Sequence, residues 1–83
     1  MRIVSILQND GYQIIPNKAV TDKLYPNAVT MEGHNIRLIL IPMRSGTTVQ
    51  IFKPNNTHRW YAEKSDAQIV QALKQIRSFY EWR

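Results

Sequence analysis

Toward the end of the chain, apolar residues recur at Ile69, Ala72, Leu73, Ile76, Phe79 and Tyr80. This is the i, i+3, i+4, i+7 spacing of one helical face, and Gln68, Gln71, Lys74, Gln75, Ser78 and Glu81 fall elsewhere on the wheel. Ser65 stands three residues before Gln68, the Ser-x-x-Gln arrangement of a capping box, in which each side chain satisfies a backbone N–H left unpaired by the first turn. Asp66 adds a negative charge where the helix dipole favours it. The pattern predicts a helix over 65–82 with one apolar stripe, which must lie on a surface built by the rest of the chain.

That surface reads as a sheet. Ile36-Arg37-Leu38-Ile39-Leu40-Ile41 is apolar at odd and even positions alike except at Arg37, the pattern of a central strand covered on both faces. One face is expected to meet the C-terminal helix, and the other an N-terminal hairpin, a short helix or a second subunit, so a homodimer is one way to cover it. Arg44-Ser45-Gly46 is a turn, and Thr47 to Lys53 alternates, with Val49 and Ile51 on one side and Thr48, Gln50 and Phe52 on the other. After the turn at Lys53-Pro54-Asn55-Asn56, Thr57 to Ala62 forms a further strand in which His58, Trp60 and Ala62 face opposite to Thr57, Arg59 and Tyr61.

The first segment admits two readings. Met1 to Leu7 is apolar and partly β-branched, and Asn9-Asp10-Gly11 separates it from Tyr12, Ile14 and Ile15. A tight turn between two apolar runs favours a hairpin, because Asn and Gly tolerate positive φ. Ile3, Ile6 and Leu7 also have helical spacing, so a helix ending at Gly11 is the rival. Asn17 is placed to cap a short helix near 18–25, which Pro26 stops. Ala28 to Met31 reads as a short strand and Glu32-Gly33-His34-Asn35 as a turn. The fold class expected is α+β, a mostly antiparallel sheet of four to five strands with the C-terminal helix packed on one face.

Length and composition restrict what this fold can do. Eighty-three residues make a single domain over 1–83, and the absence of cysteine removes disulfides, thiolate metal sites and a cysteine nucleophile. The longest apolar run falls well short of the roughly 20 residues that span a bilayer, and the brief apolar start does not resemble a signal peptide. The expectation is a soluble, cytoplasmic protein without a membrane partner, in which the sequon Asn55-Asn56-Thr57 is a chance match. Eleven Lys and Arg against six Asp and Glu give a net charge of +5 and a pI near 9.9, which favours an anionic partner, nucleic acid being the commonest.

Candidate chemistry follows from the sheet. If Val49, Ile51, Trp60 and Ala62 face the helix, the open face presents Gln50, Phe52, Arg59 and Tyr61, with Arg37 and Lys53 near its edges. Aromatic rings stack on bases while Arg and Lys neutralise phosphate, so these six residues form the candidate nucleic-acid site. Packing of Phe52 and Tyr61 beneath the N-terminal hairpin is the competing explanation. Trp82, off the helix's apolar stripe, is placed either to cap the core edge or to dock on a protein partner.

Other constellations are thin. His34 and His58 lie in no metal-ligand pattern, the six carboxylates are scattered, and Gly11, Gly33 and Gly46 stand in separate turns rather than in a phosphate-cradling loop, so no metal or cofactor is expected. His58 with Arg59, Tyr61 or Lys53 would supply the base, acid and cation of a metal-independent ribonuclease. The leading expectation is a non-enzymatic binding module for single-stranded nucleic acid or RNA. Behind it stand a small protein-binding regulator of the kind carried by phage or mobile elements, and then the ribonuclease.

Overall fold

A computed structural model describes residues 2–16, 26–53 and 57–81, with side chains as far as residue 78. Trp82 and the segment expected to form a short helix near 18–25 lie outside the described residues. The elements in order are α1 (Arg2–Asn9), β1 (Gln13–Ile15), β2 (Val29–Gly33), β3 (Ile36–Met43), β4 (Gly46–Phe52), β5 (His58–Lys64) and α2 (Asp66–Glu81). The strands form one antiparallel meander, each pairing with the next in sequence, and the α+β architecture matches the sequence expectation.

The first segment is a helix and not a hairpin arm. Gly11, at φ 100°, occupies the left-handed position that ends many helices. The Tyr12 N–H donates to the Leu7 carbonyl at 3.0 Å and the Gly11 N–H to the Gln8 carbonyl at 3.2 Å, the paired bonds of a Schellman motif. Tyr12 and Leu7 are both buried in the core, so the motif also brings its usual apolar contact. A helix of eight residues is too short to persist in isolation, so packing rather than propensity holds α1 in place. Ile3 and Leu7 supply that packing, and Arg77 Nη1 on α2 reaches Asp10 Oδ2 at 2.6 Å.

Both helices lie on the same side of the sheet. Met31, Leu38 and Ile51 pair across β2, β3 and β4, as do Leu40 and Val49, and this row of strand residues forms one cluster with Ile3, Leu7, Tyr12, Ile69, Leu73 and Ile76. The capping box at the start of α2 is complete: the Ser65 N–H donates to Gln68 Oε1 at 2.9 Å and the Gln68 N–H to Ser65 Oγ at 3.2 Å. On the opposite side, Ile39 and Ile41 are 9% and 3% exposed. Both faces of β3 are therefore covered within the single chain.

The connections set the register. His34 and Asn35, at φ 51° and 62°, form the two-residue turn between β2 and β3, whose positive φ values match the twist of a hairpin. In β5, Ala62 and Glu63 together oppose Thr48, a bulge that places Glu63 at φ 47° and lets its N–H donate to Thr48 Oγ1 at 3.3 Å. Among the described residues, no helix is long and apolar enough to cross a membrane.

Candidate nucleic-acid interface

Residues directly opposite one another in an antiparallel ladder share a face, so the pairing decides which side chains the sheet presents away from the helices. In β4, Val49 and Ile51 are buried under α2's side, which leaves Thr48, Gln50 and Phe52 on the open face. The Lys53 N–H donates to the Thr57 carbonyl at 2.8 Å and closes the β4–β5 connection with Phe52 opposite His58. Trp60 then lies opposite Gln50, while Arg59 and Tyr61 lie opposite Ile51 and Val49.

The sequence expectation for β5 is thus corrected: Trp60 is on the open face, 52% exposed, and Arg59 and Tyr61 are on the helix side. Tyr61 is half-buried against the core, and the Arg59 guanidinium stands 5.6 Å from its ring centroid. Beside them a crevice of about 400 Å³ separates β5 from α2, lined by Val49, Ile51, Tyr61, Lys64, Ala67 and Ala72 among others. Of the six candidate residues, the fold brings Arg37, Gln50, Phe52 and Lys53 to the open side and removes Arg59 and Tyr61 from it. His58 and Trp60 are the residues that sequence reasoning placed elsewhere. No residue type signals their side, since a one-residue change in register exchanges the two faces.

Two rows of side chains cross all five strands on this face. One runs Gln13, Glu32, Arg37, Phe52, His58, and the next runs Ile15, Thr30, Ile39, Gln50, Trp60. Phe52 and His58 have ring centroids 5.6 Å apart with planes tilted by 37°. Arg37 donates from Nε and Nη2 to Glu32 Oε2 at 3.3 and 3.1 Å, so a phosphate at this guanidinium would compete with a carboxylate already in place. A groove of about 1080 Å³ runs along the first row, with Gln13, Thr30, Glu32, Arg37, Phe52 and Lys53 in its lining. Thr30 is 5% exposed, so the accessible part of the face is this groove together with the aromatic β4–β5 margin.

Of the residues considered beside His58 for hydrolysis, Arg59 and Tyr61 project from the opposite side of β5, while Lys53 lines the groove on the open face. His34 is engaged elsewhere, with Nε2 donating to the Asp10 carbonyl at 2.7 Å. Among the described residues, no group of three or more His, Asp or Glu side chains gathers in a way that would hold a metal ion. Comparison of the chain with protein-family models, curated proteins and solved structures finds no match.

Proposed function

We propose that the protein is a non-enzymatic module that binds single-stranded nucleic acid or RNA on the sheet face opposite its helices. The observation that carries this reading is the half-exposed Trp60 ring, on the same face as Phe52, His58 and Arg37 in a chain of net charge +5. A half-exposed indole offers a flat surface on which a base can stack without regard to sequence. Trp60 and Phe52 sit on neighbouring strands two residues apart in register, a diagonal separation of about 7–8 Å that lets each take its own base. Lys53 lies along the adjoining groove, where backbone phosphate would pass.

The test is fluorescence anisotropy of labelled single-stranded RNA, single-stranded DNA and duplex DNA at several salt concentrations. Single strands should bind in preference to duplex, and log affinity should fall with log salt at about 0.7 for each phosphate neutralised. Preference for duplex, or binding erased entirely at near-physiological salt, contradicts the reading. A protein partner is the second reading, favoured by the same exposed indole, since Trp is enriched among residues that dominate interfaces. Aromatic burial against a protein would leave affinity for nucleic acid low and insensitive to substitution of Trp60.

A further inference from the structure

We infer that Glu32 and Arg37 read a base on this face and that guanine is the base they prefer, an inference that rests on the nucleic-acid reading above. A carboxylate within a surface that receives phosphate repels it, so Glu32 weakens the electrostatic part of binding. What a carboxylate recognises is an N–H or O–H donor. Bases carry N–H donors on their edges and phosphates carry none, which makes base reading the role that suits Glu32 in this position.

The geometry of the pair is directional. Both Arg37 bonds end on Glu32 Oε2, and among the described residues no hydrogen bond reaches Oε1 or leaves Arg37 Nη1. Both side chains are more than half or half exposed, at 57% and 50%, so an outward acceptor and an outward donor stand side by side. Guanine presents the complementary edge: O6 accepts, and N1–H and N2–H are adjacent donors that a carboxylate can take together. Adenine, cytosine and uracil each have a single donor group on that edge. Arg37 Nη1 would donate to O6 while Glu32 accepts N1–H at Oε1 and N2–H at Oε2, the longer Arg37 Nε bond to Oε2 giving way to the base.

Placement on the sheet supports the same ligand. Phe52 is directly opposite Arg37, and Glu32 is one strand further, so the three occupy successive strands about 4.8 Å apart. A base stacked over Phe52 therefore directs its edge at Arg37 and then Glu32. A purely sheet-stabilising ion pair would use Oε2 as it does here and confer no base preference.

The experiment measures anisotropy of labelled UUGUU, UUAUU, UUCUU and UUUUU RNA, and of the DNA form of the guanine oligonucleotide, with the unmodified protein and with Glu32→Gln. The unmodified protein should bind UUGUU about 10-fold or more tighter than the other three. Glu32→Gln should abolish that preference while leaving UUUUU affinity equal or higher, because a negative charge has been removed. Circular dichroism and a urea titration establish that the variant is folded. Equal binding of all four RNAs, a preference that survives Glu32→Gln, or a change confined to RNA over DNA would each overturn the inference, the last by pointing to the ribose 2′-hydroxyl. Those outcomes leave nucleic-acid binding itself intact, whereas absence of binding to every oligonucleotide removes both readings.

Discussion

His34 Nε2 lies 2.7 Å from the carbonyl oxygen of Asp10, and because that oxygen only accepts, Nε2 carries the hydrogen. The imidazole also meets Tyr12 edge-on, with centroids 5.0 Å apart and planes at 68°. The β2–β3 turn is thereby latched to the end of α1. Beneath the latch the backbones approach so closely that a Cβ on Gly33 would stand 2.9 Å from the Gly11 carbonyl oxygen and from Tyr12 Cα. Gly33→Ala should therefore destabilise the fold by about 1–3 kcal/mol, the range for overpacking a filled site. His34→Ala should cost less, about 0.5–1.5 kcal/mol. Urea unfolding followed by circular dichroism checks both, and a neutral Gly33→Ala would show that α1 and the turn are not in contact.

The end of α1 gives a second prediction. Gly11 holds φ 100°, and a side chain there incurs the left-handed penalty of about 1–2 kcal/mol, so Gly11→Ala should be destabilising by that amount. Leu7→Ala, which removes a fully buried side chain from the same motif, should cost about 2–5 kcal/mol. Thermal unfolding of the two variants checks the helical reading of this segment. In a hairpin Leu7 would have no capping partner, and loss of Gly11 would alter register instead.

These two elements show how far the sequence was legible. The signals for α2 are local: Ser65 and Gln68 cap each other within one turn, and Ile69, Leu73 and Ile76 align by spacing alone. For α1 the local signals conflict, since an apolar run followed by Asn-Asp-Gly suits a hairpin turn and a Schellman cap equally. The deciding interactions are distant in sequence, namely burial of Ile3 and Leu7 on the sheet and the Arg77 contact to Asp10. The alternation within β5 was readable, but its phase was not. Which of Trp60 and Tyr61 faces α2 depends on the register that sets Phe52 opposite His58, and that geometry is carried by a backbone bond from Lys53 to Thr57 rather than by a residue type.

The capping box should show directly in stability. Ser65→Ala removes the acceptor for the Gln68 N–H and should cost about 0.5–2 kcal/mol. Hydrogen exchange of the first-turn amides of α2 should accelerate in the same variant, and unchanged protection there would mean the cap is redundant.

The link between the helices should be weak and salt-sensitive. Asp10 is 44% exposed on its side chain, so Asp10→Ala should lower stability by only about 0.2–1 kcal/mol. The difference from the unmodified protein should shrink as salt is raised in the same unfolding measurement. A loss that is large and independent of salt would mean that the pair acts as part of the core.

The central claim is that the face bearing Trp60, and not the one bearing Tyr61, meets nucleic acid. The most direct measurement is the affinity of Trp60→Ala for labelled single-stranded RNA at near-physiological salt, beside Tyr61→Leu, which removes the half-buried ring but keeps an apolar side chain against the core. Trp60→Ala should weaken binding by about 1–3 kcal/mol, the value of one stacked base, and Tyr61→Leu should leave it unchanged. Undiminished binding by Trp60→Ala, or a loss confined to Tyr61→Leu, contradicts the account.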